Sequence, residues 1–258
     1  MLSWSLFTTI VSFVLVAGGL YTINDILDKD VDIHNIEKTN RPITSGRIST
    51  KTGSVLAGTC ISLGLAASYS VNVSIFSIVL IYVLLVGAYS IELKKLPWLE
   101  IAIVSAGFVL RMLAGGQAVN APVTIGFLIV SFFGALLLVL GKRHSELVNA
   151  SASHLPYRTS LNGYSLRSLS VGMYLSLFVA TSTYAYMALI KYSDDRTSSV
   201  LLLLSSVPMT LAGIVLVKES FTGKAESVDK LLTVHRPLAT LVTIWVGFFV
   251  VASYMGAN

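Results

Sequence analysis

The sequence predicts an all-α membrane protein, a bundle of about eight transmembrane helices. Of its 258 residues, 54% are hydrophobic and only 12% are charged, about half the charged fraction of a soluble domain. Eight apolar runs are about long enough to cross a bilayer core of roughly 30 Å as helices. They are Leu2–Ile23, Ser54–Ser70, Val73–Ser90, Trp98–Ala114, Ala121–Leu140, Leu166–Ile190, Ser198–Val217 and Pro237–Tyr254. The short connections leave no room for a second folded unit, so residues 1–258 are expected to form one membrane domain.

Basic residues concentrate on one side of these predicted spans. Of the 18 Lys and Arg residues, all but Arg111, Lys191 and Arg196 lie on the same side. The positive-inside rule places that side in the cytoplasm and both termini outside, as expected for a plasma-membrane protein. Topology therefore accounts for most of the net charge of +5, and no nucleic-acid partner is needed to explain it.

The polar loops show a second regularity, because the two richest in polar residues follow spans one and five. This spacing of four helices predicts two four-helix halves, each of which contributes one loop to a shared site. Most acidic residues lie on the same side as the basic ones. The chemistry is therefore expected to face the cytoplasm.

An aspartate cluster follows directly after the first span. Asp25, Asp28 and Asp32 are spaced at i, i+3 and i+7, which places them on one face if the first helix continues this far. Asn24 shares this face. Three carboxylates together suit Mg²⁺, which takes hard oxygen ligands and completes its shell with water and substrate phosphates. The alternative is a solvated acidic loop.

Basic residues come next along the chain, at Lys38, Arg41 and Arg47. Carboxylates for a metal beside cations for phosphate are what the binding of a metal–diphosphate complex requires. Simple anchoring by the positive-inside rule is the alternative reading of each cation. The four histidines occur singly along the sequence, so structural or solvated roles are expected for them.

Motifs in the first half carry a family resemblance. The chain contains Asn24-Asp25-x-x-Asp28-x-x-x-Asp32, then Arg41-Pro42, and later Tyr89-Ser90-x-x-Leu93-Lys94. Together they resemble the UbiA superfamily of intramembrane prenyltransferases, over nearly the whole chain. The resemblance implies a helical bundle of usually nine spans, with a membrane cavity under a cytoplasmic cap, and assigns Mg²⁺ and donor diphosphate to Asp25, Asp28 and Asp32. This chain begins in what looks like the second span, so we expect either a truncated start or a member without the first helix.

The loop after span five departs from the family pattern. Most such prenyltransferases carry a second aspartate motif there, whereas this chain has Lys142, Arg143 and the single carboxylate Glu146. Their spacings of three and four residues allow all three side chains to converge on one helical face. A surface ion-pair turn, which contributes little energy, is the alternative.

This basic loop narrows the resemblance to one branch. Gly-Lys-Arg-x-x-Glu-Leu at residues 141–147, Arg158-x-Ser160-Leu161-x-x-Tyr164, and Leu110-Arg111-x-x-Ala114-Gly115-Gly116 are similar to the decaprenyl-phosphate phosphoribosyltransferases of actinobacterial arabinan synthesis. The resemblance implies transfer of 5-phosphoribose from 5-phosphoribosyl 1-diphosphate to the phosphate of a polyprenyl (decaprenyl) phosphate. The implied substrate-binding residues are Asn24, Arg41, Lys94, Lys142, Arg143, Glu146, Arg158 and Tyr164.

Two other functions stay open at this point. One is a Mg²⁺-dependent prenyltransferase that moves an isoprenyl group from its diphosphate to an aromatic or other acceptor. It needs the same first motif, but the missing second aspartate cluster counts against it. The other is a non-catalytic transporter or lipid-binding protein, which the one-sided distribution of polar loops disfavours. The sequence leaves the chain length of the lipid and the oligomeric state open, including a homo-oligomer.

Overall fold

The computed structural model of the chain is helical throughout its regular elements. It describes residues 2–33, 38–121, 123–153, 159–191, 196–227, 231, 233 and 235–255. Over these residues the helices are α1 (Leu2–Leu27), α2 (Lys29–Asp32), α3 (Thr50–Val71), α4 (Val73–Ile91), α5 (Leu99–Ala118), α6 (Ile125–Ser153), α7 (Leu166–Lys191), α8 (Arg196–Phe221) and α9 (Arg236–Met255). Short 3₁₀ turns lie at Leu93–Lys95, Thr159–Gly163 and Lys224–Glu226.

The long helices have the length and composition of membrane spans. Within the described part of the chain, seven of them are long and apolar enough to cross a bilayer, and α9 adds the shorter apolar stretch Arg236–Ala252. Each corresponds to one of the eight predicted apolar runs. The prediction of an all-α, multi-pass membrane protein is confirmed.

Several helices extend beyond the apolar runs that predicted them, and two of these carry the candidate polar residues. Helix α1 continues past Ile23 to Leu27, and α6 continues past Leu140 to Ser153. An apolar run marks only the residues that suit the hydrocarbon core of a bilayer. Polar residues can continue the same backbone hydrogen bonds beyond that core. The aspartates of the first candidate cluster and all three residues of the second therefore lie on helical extensions or directly after one.

The chain divides into two compact units, residues 1–123 and 124–258. The first contains α1, α3, α4 and α5, and the second contains α6 to α9, so each has four long helices. This agrees with the two predicted four-helix halves. Whether the units act as one domain stays a prediction.

In the first unit, small residues bring α1 and α3 into close contact. The Ser12 hydroxyl donates a hydrogen bond to the Gly64 carbonyl at 2.7 Å. A Cβ atom at Gly64 would lie 2.8 Å from the Ser12 carbonyl oxygen, and one at Gly19 would lie 2.8 Å from the Ala57 carbonyl oxygen. Close backbone approach at small residues is a typical way for membrane helices to associate. This contact fixes α1, whose C-terminal end carries the aspartates.

Each unit has an apolar core of its own. The core of the first unit comprises Phe13, Val16, Leu20, Ile75, Val79, Tyr82, Ala114 and Ala118. The core of the second comprises Val130, Tyr184, Ala188, Leu202 and Ala252. In the second core the Tyr184 and Ser205 hydroxyls are hydrogen-bonded at 2.7 Å, which satisfies polar groups that would be costly to bury unpaired.

Candidate active site

The aspartate cluster lies at the C-terminal end of α1. The helix runs through Asp25 to Leu27, bends at Asp28 (φ −94°, ψ 0°), and resumes as the short helix α2. The Asp28 amide donates to the Asn24 carbonyl at 2.9 Å, and the Asp32 amide donates to the Asp28 carbonyl at 2.8 Å. Helical spacing is therefore retained across the bend. Asp30 lies outside this face and is exposed.

Arg41 bridges two of the three carboxylates. Its Nη1 lies 2.6 Å from Asp25 Oδ1 and 3.0 Å from Asp32 Oδ2. Lys38 adds a second cation, with Nζ 2.9 Å from Asp32 Oδ1. The Asp32 side chain is only 2% exposed, whereas those of Lys38 and Arg41 are 38% and 37% exposed. The carboxylate is thus fixed within the protein, and its cationic partners lie on the open side.

The third carboxylate has a partner from a distant part of the chain. Lys94, in the 3₁₀ turn after α4, places Nζ 2.5 Å from Asp28 Oδ1 and 3.3 Å from Asn24 Oδ1. The Asn24 side-chain amide also donates to Asp28 Oδ2 at 3.1 Å. The structure therefore brings six predicted residues to this helix end in two side-chain groups: Asp25 and Asp32 with Arg41, and Asn24 and Asp28 with Lys94.

The loop that carries these cations is held against α3. Ile43 is buried, and its Cδ1 lies where a side chain on Gly53 would begin. The Ile48 amide closes the loop by donating to the Pro42 carbonyl at 3.0 Å. Arg47 does not join the carboxylates, because it donates to the Asn40 carbonyl and to the Ser45 hydroxyl. It was predicted as a phosphate-binding cation, but its described contacts lie within the loop.

The donor set of this cluster fits a magnesium ion shared with a substrate. Among the described residues, no three His, Cys, Asp or Glu side chains form a ready-made metal cage. However, Arg41 Nη1 lies between the Asp25 and Asp32 carboxylates, as a bridging cation would. Mg²⁺ is commonly held by only one or two carboxylates, with substrate phosphates and water as its other ligands. Asp28 is paired with Lys94 instead of Arg41.

A second polar cluster lies on the C-terminal part of α6, in the second unit. Arg143 Nη1 is 2.5 Å from Glu146 Oε2, and both side chains are largely buried. Lys142 is about half exposed, with Nζ 4.0 Å from Glu146 Oε1. The predicted convergence of these three side chains on one helical turn is what the structure shows, with Lys142 as the outward member.

The two other predicted residues after α6 are less informative. Tyr164 is buried and follows the 3₁₀ turn Thr159–Gly163, where its amide donates to the Leu161 carbonyl at 3.1 Å. Arg158 lies outside the residues that the structure describes.

His144 and Ser145 have structural partners that sequence reasoning missed. His144 Nδ1 is 3.1 Å from the Ser220 carbonyl oxygen, and the Ser145 hydroxyl donates to the same oxygen at 3.2 Å. The Ala225 amide in turn donates to Ser145 Oγ at 3.1 Å. Both side chains are almost completely buried. Because they are 75 or more residues from Ser220, no local pattern could have revealed these contacts.

The first unit also contains an elongated apolar cavity of about 490 Å³ along α1 and α5. Its lining is Leu6, Thr9, Ile10, Phe13, Val14, Ala17, Tyr21, Arg111 and Gly115. From Leu6 to Tyr21 the helix rises about 22 Å, and Tyr21 is one turn from Asp25. Arg111 donates to the Tyr82 hydroxyl at 2.5 Å and lies over the Tyr82 and Phe108 rings.

A helical membrane fold with a carboxylate–cation cluster at a helix end is the arrangement that the aspartate motif predicted for a UbiA-type transferase. The sequence pattern of the UbiA prenyltransferase family matches residues 1–145. The chain belongs to this family.

Relatives and solved structures support this assignment. The chain is 30% identical over 253 residues to decaprenyl-phosphate phosphoribosyltransferase of Mycolicibacterium smegmatis, covering 95% of this chain and 79% of that one. It is 28% identical over 247 residues to the enzyme of that name from Corynebacterium glutamicum, covering 95% and 74%. Its fold is similar to a UbiA homolog from Archaeoglobus fulgidus bound to GPP and Mg²⁺, with a TM-score of 0.72, 19% identity, and coverage of 99% of this chain and 88% of the other.

Proposed function

We propose that this chain transfers 5-phosphoribose from 5-phosphoribosyl 1-diphosphate to a polyprenyl phosphate such as decaprenyl phosphate, as a step in cell-wall arabinan precursor synthesis. The observation that carries the proposal is the buried Arg143–Glu146 pair, with Lys142 beside it. Positive charge at this position suits a substrate with more phosphate than a prenyl diphosphate has. The 30% identity to a phosphoribosyltransferase supports the same function.

In the proposed reaction, the bond between ribose C1 and the diphosphate oxygen breaks, and its electron pair leaves with diphosphate. A phosphate oxygen of the lipid forms the new bond to C1. That oxygen is already anionic near neutral pH, so no side chain has to remove a proton. Bound Mg²⁺ would neutralise the charge that develops on the leaving group.

The chain's own residues divide the remaining work. Asp25, Asp28 and Asp32 would hold Mg²⁺, and Arg41 and Lys94 lie beside them as partners for the diphosphate. We assign Lys142, Arg143 and Arg158 to the ribose 5-phosphate or the lipid phosphate, where positive charge offsets the repulsion between two polyanions. Asn24, Glu146 and Tyr164 would complete the substrate contacts.

The lipid chain would occupy the apolar cavity along α1, which is in the same unit as the aspartates. The proposal places the protein in the plasma membrane with its polar clusters facing the cytoplasm, where positive-inside topology orients them.

The test is transfer of label by the purified chain in lipid vesicles. Vesicles contain decaprenyl phosphate and receive radiolabelled phosphoribosyl diphosphate, with Mg²⁺ or with a chelator. Metal-dependent appearance of label in the lipid fraction supports the proposal. Prenylation of an aromatic or glycerol-phosphate acceptor without phosphoribosyl transfer would replace it with ordinary prenyl transfer. The absence of both reactions would favour a non-catalytic lipid-binding protein or transporter.

A further inference from the structure

The end of α8 and the following turn are bonded to α6 next to its cation cluster. Besides the bonds of His144 and Ser145 to the Ser220 carbonyl, the Asn149 side-chain amide donates to the Gly223 carbonyl at 3.0 Å and to Glu226 Oε2 at 2.8 Å. We call the contacts of these three α6 residues with residues 220–226 the α6 clasp. All of them lie within the second unit.

We infer that His144 and Ser145 are positioning residues for the phosphate-binding cations of α6, acting through the α6 clasp. The inference rests on the proposed function in taking Arg143 as a substrate ligand. Neither residue is assigned a contact with substrate. Their role is to set the direction in which Arg143 and its partner Glu146 point.

Helix geometry makes this coupling direct. Successive residues of an α-helix are rotated by about 100°, from 3.6 residues per turn. Fixing residues 144 and 145 against one neighbour therefore fixes the orientation of residues 143 and 146 as well. Arg143 is 4% exposed, so its guanidinium cannot reach another position by swinging through solvent. A small rotation of α6 would therefore carry the Arg143 guanidinium along with the helix.

The Ser220 carbonyl is a suitable anchor because it lies at a helix end. The last four carbonyls of an α-helix have no amide partner within the helix, and Ser220 is the penultimate residue of α8. Its carbonyl accepts from the Gly223 amide of the following turn at 3.2 Å, and from the two α6 side chains as well. A carbonyl oxygen can only accept, so His144 Nδ1 must carry the proton of that bond. Gly141 permits the close approach, since a Cβ atom there would lie 2.7 Å from Ser220 Oγ.

Burying a histidine at position 144 costs free energy that a purely apolar side chain would not. Its ring is buried against the Phe221 ring, with 4.6 Å between centroids. His144 Nε2 is buried and has no hydrogen-bond partner among the described residues. An unpaired buried nitrogen is unfavourable, and leucine would fill such a space without it. The directional bond from Nδ1 is the feature that leucine would lack.

The experiment compares two substitutions of His144 in the full-length chain. Asparagine places an amide N–H near the position of Nδ1, whereas leucine fills the space without a donor. We expect His144→Leu to raise the KM of one of the two substrates, phosphoribosyl diphosphate or decaprenyl phosphate, by about tenfold, with kcat little changed. This is the size expected for one misdirected charged hydrogen bond. His144→Asn should restore most of the wild-type KM. Ser151→Ala, an exposed change on the same helix, should leave KM and kcat at wild-type values.

Two further measurements separate positioning from general stability. In an Arg143→Met background, His144→Leu should have no additional effect on KM, because its route to the substrate is already removed. Hydrogen exchange of residues 142–149 should rise in His144→Leu and Ser145→Ala but not in Ser151→Ala. This readout needs no turnover, so it tests the clasp even if wild-type protein fails to transfer phosphoribose. Equal loss with leucine and asparagine, additive effects with Arg143→Met, or unchanged exchange would overturn the inference.

Discussion

The two polar clusters of this protein are built in opposite ways. In the first unit, the aspartates are paired with cations from other segments of the chain, and Lys38 and Arg41 lie on the solvent side of the buried Asp32. In the second unit, the cation Arg143 is itself buried, and its helix is bonded to the end of α8. The first cluster is arranged so that its ion pairs can exchange partners. The second is arranged to hold its charge in one orientation.

The difference suits the ligands that the proposed function assigns to each cluster. A metal–diphosphate complex brings both signs of charge, so it can take over the carboxylates and the cations of the first cluster together. A phosphate monoester brings only negative charge. For that ligand a fixed cation is better, because little conformational entropy is lost on binding.

The largest expected effect is at the buried aspartate. Asp32→Asn removes a carboxylate that Lys38 and Arg41 share and that we assign to Mg²⁺. Transfer of labelled phosphoribose should fall by roughly a thousandfold, the loss typical of removing one group that stabilises transition-state charge. Asp30→Asn, on the exposed side of the same helix, serves as the control and should retain activity. Similar activity in both variants would remove Asp32 from the site.

Arg41→Gln should strengthen the binding of one ligand and weaken the binding of another. It leaves Asp25 and Asp32 without their shared cation, so binding of Mn²⁺ alone should tighten by about tenfold, since one charge near 4 Å is worth about that much. Binding of inorganic pyrophosphate with Mn²⁺ should weaken, because a phosphate partner is lost. Both are measured by titration followed with electron paramagnetic resonance.

Arg47→Gln is the matched control for that titration. Arg47 lies in the same loop but bonds Asn40 and Ser45 instead of the aspartates, so neither affinity should change. If Arg41→Gln weakened Mn²⁺ binding in both conditions, the exchange of partners in the first cluster would be refuted.

The two clusters also differ in how much of them the sequence could predict. The spacing of Asp25, Asp28 and Asp32 is local information, and helical periodicity was enough to place them at one helix end. The same held for Arg143 and Glu146. Periodicity could not show that Arg41 bridges Asp25 and Asp32 while Lys94 takes Asp28. That choice depends on the bend at Asp28 and on how the loops fold back.

The α6 clasp could not be predicted from the sequence for the same reason. His144 and Ser220 are far apart in the chain, and their contact follows from the packing of α6 against α8. A lone histidine between charged residues carries no local sign of that partner. Likewise, the apolar runs predicted all eight long helices of the described residues. The fifth run stopped at Leu140, thirteen residues before α6 ends, because an apolar run cannot indicate where a helix continues through polar residues.

The two clusters also differ in the contacts that hold them in place, and the expected effect of disturbing these contacts is smaller. The first depends on close packing of α1 and α3, so Gly64→Ala, whose Cβ would lie 2.8 Å from the Ser12 carbonyl, should destabilise the protein. We expect a loss of about 1–3 kcal/mol, typical of overpacking, measured by thermal unfolding in detergent. Gly58→Ala, on the same helix with no atom within 4 Å of its Cβ, should not. If Gly64→Ala left the stability unchanged, α1 would be able to shift without a free-energy cost.

The smallest effect is expected at Tyr82, which accepts a hydrogen bond from the intramembrane cation Arg111 in the first unit. Tyr82→Phe removes the hydroxyl that accepts from Arg111 but keeps the ring beneath the guanidinium. Hydrogen bonds between membrane helices contribute on average only about 0.6 kcal/mol, so a loss below about 1 kcal/mol is expected in the same unfolding assay. Tyr69→Phe, an exposed position on α3, is the control. A loss several times larger would mean that this single hydroxyl orders the α4–α5 pair, and the first unit would then depend on a directional bond as the second does.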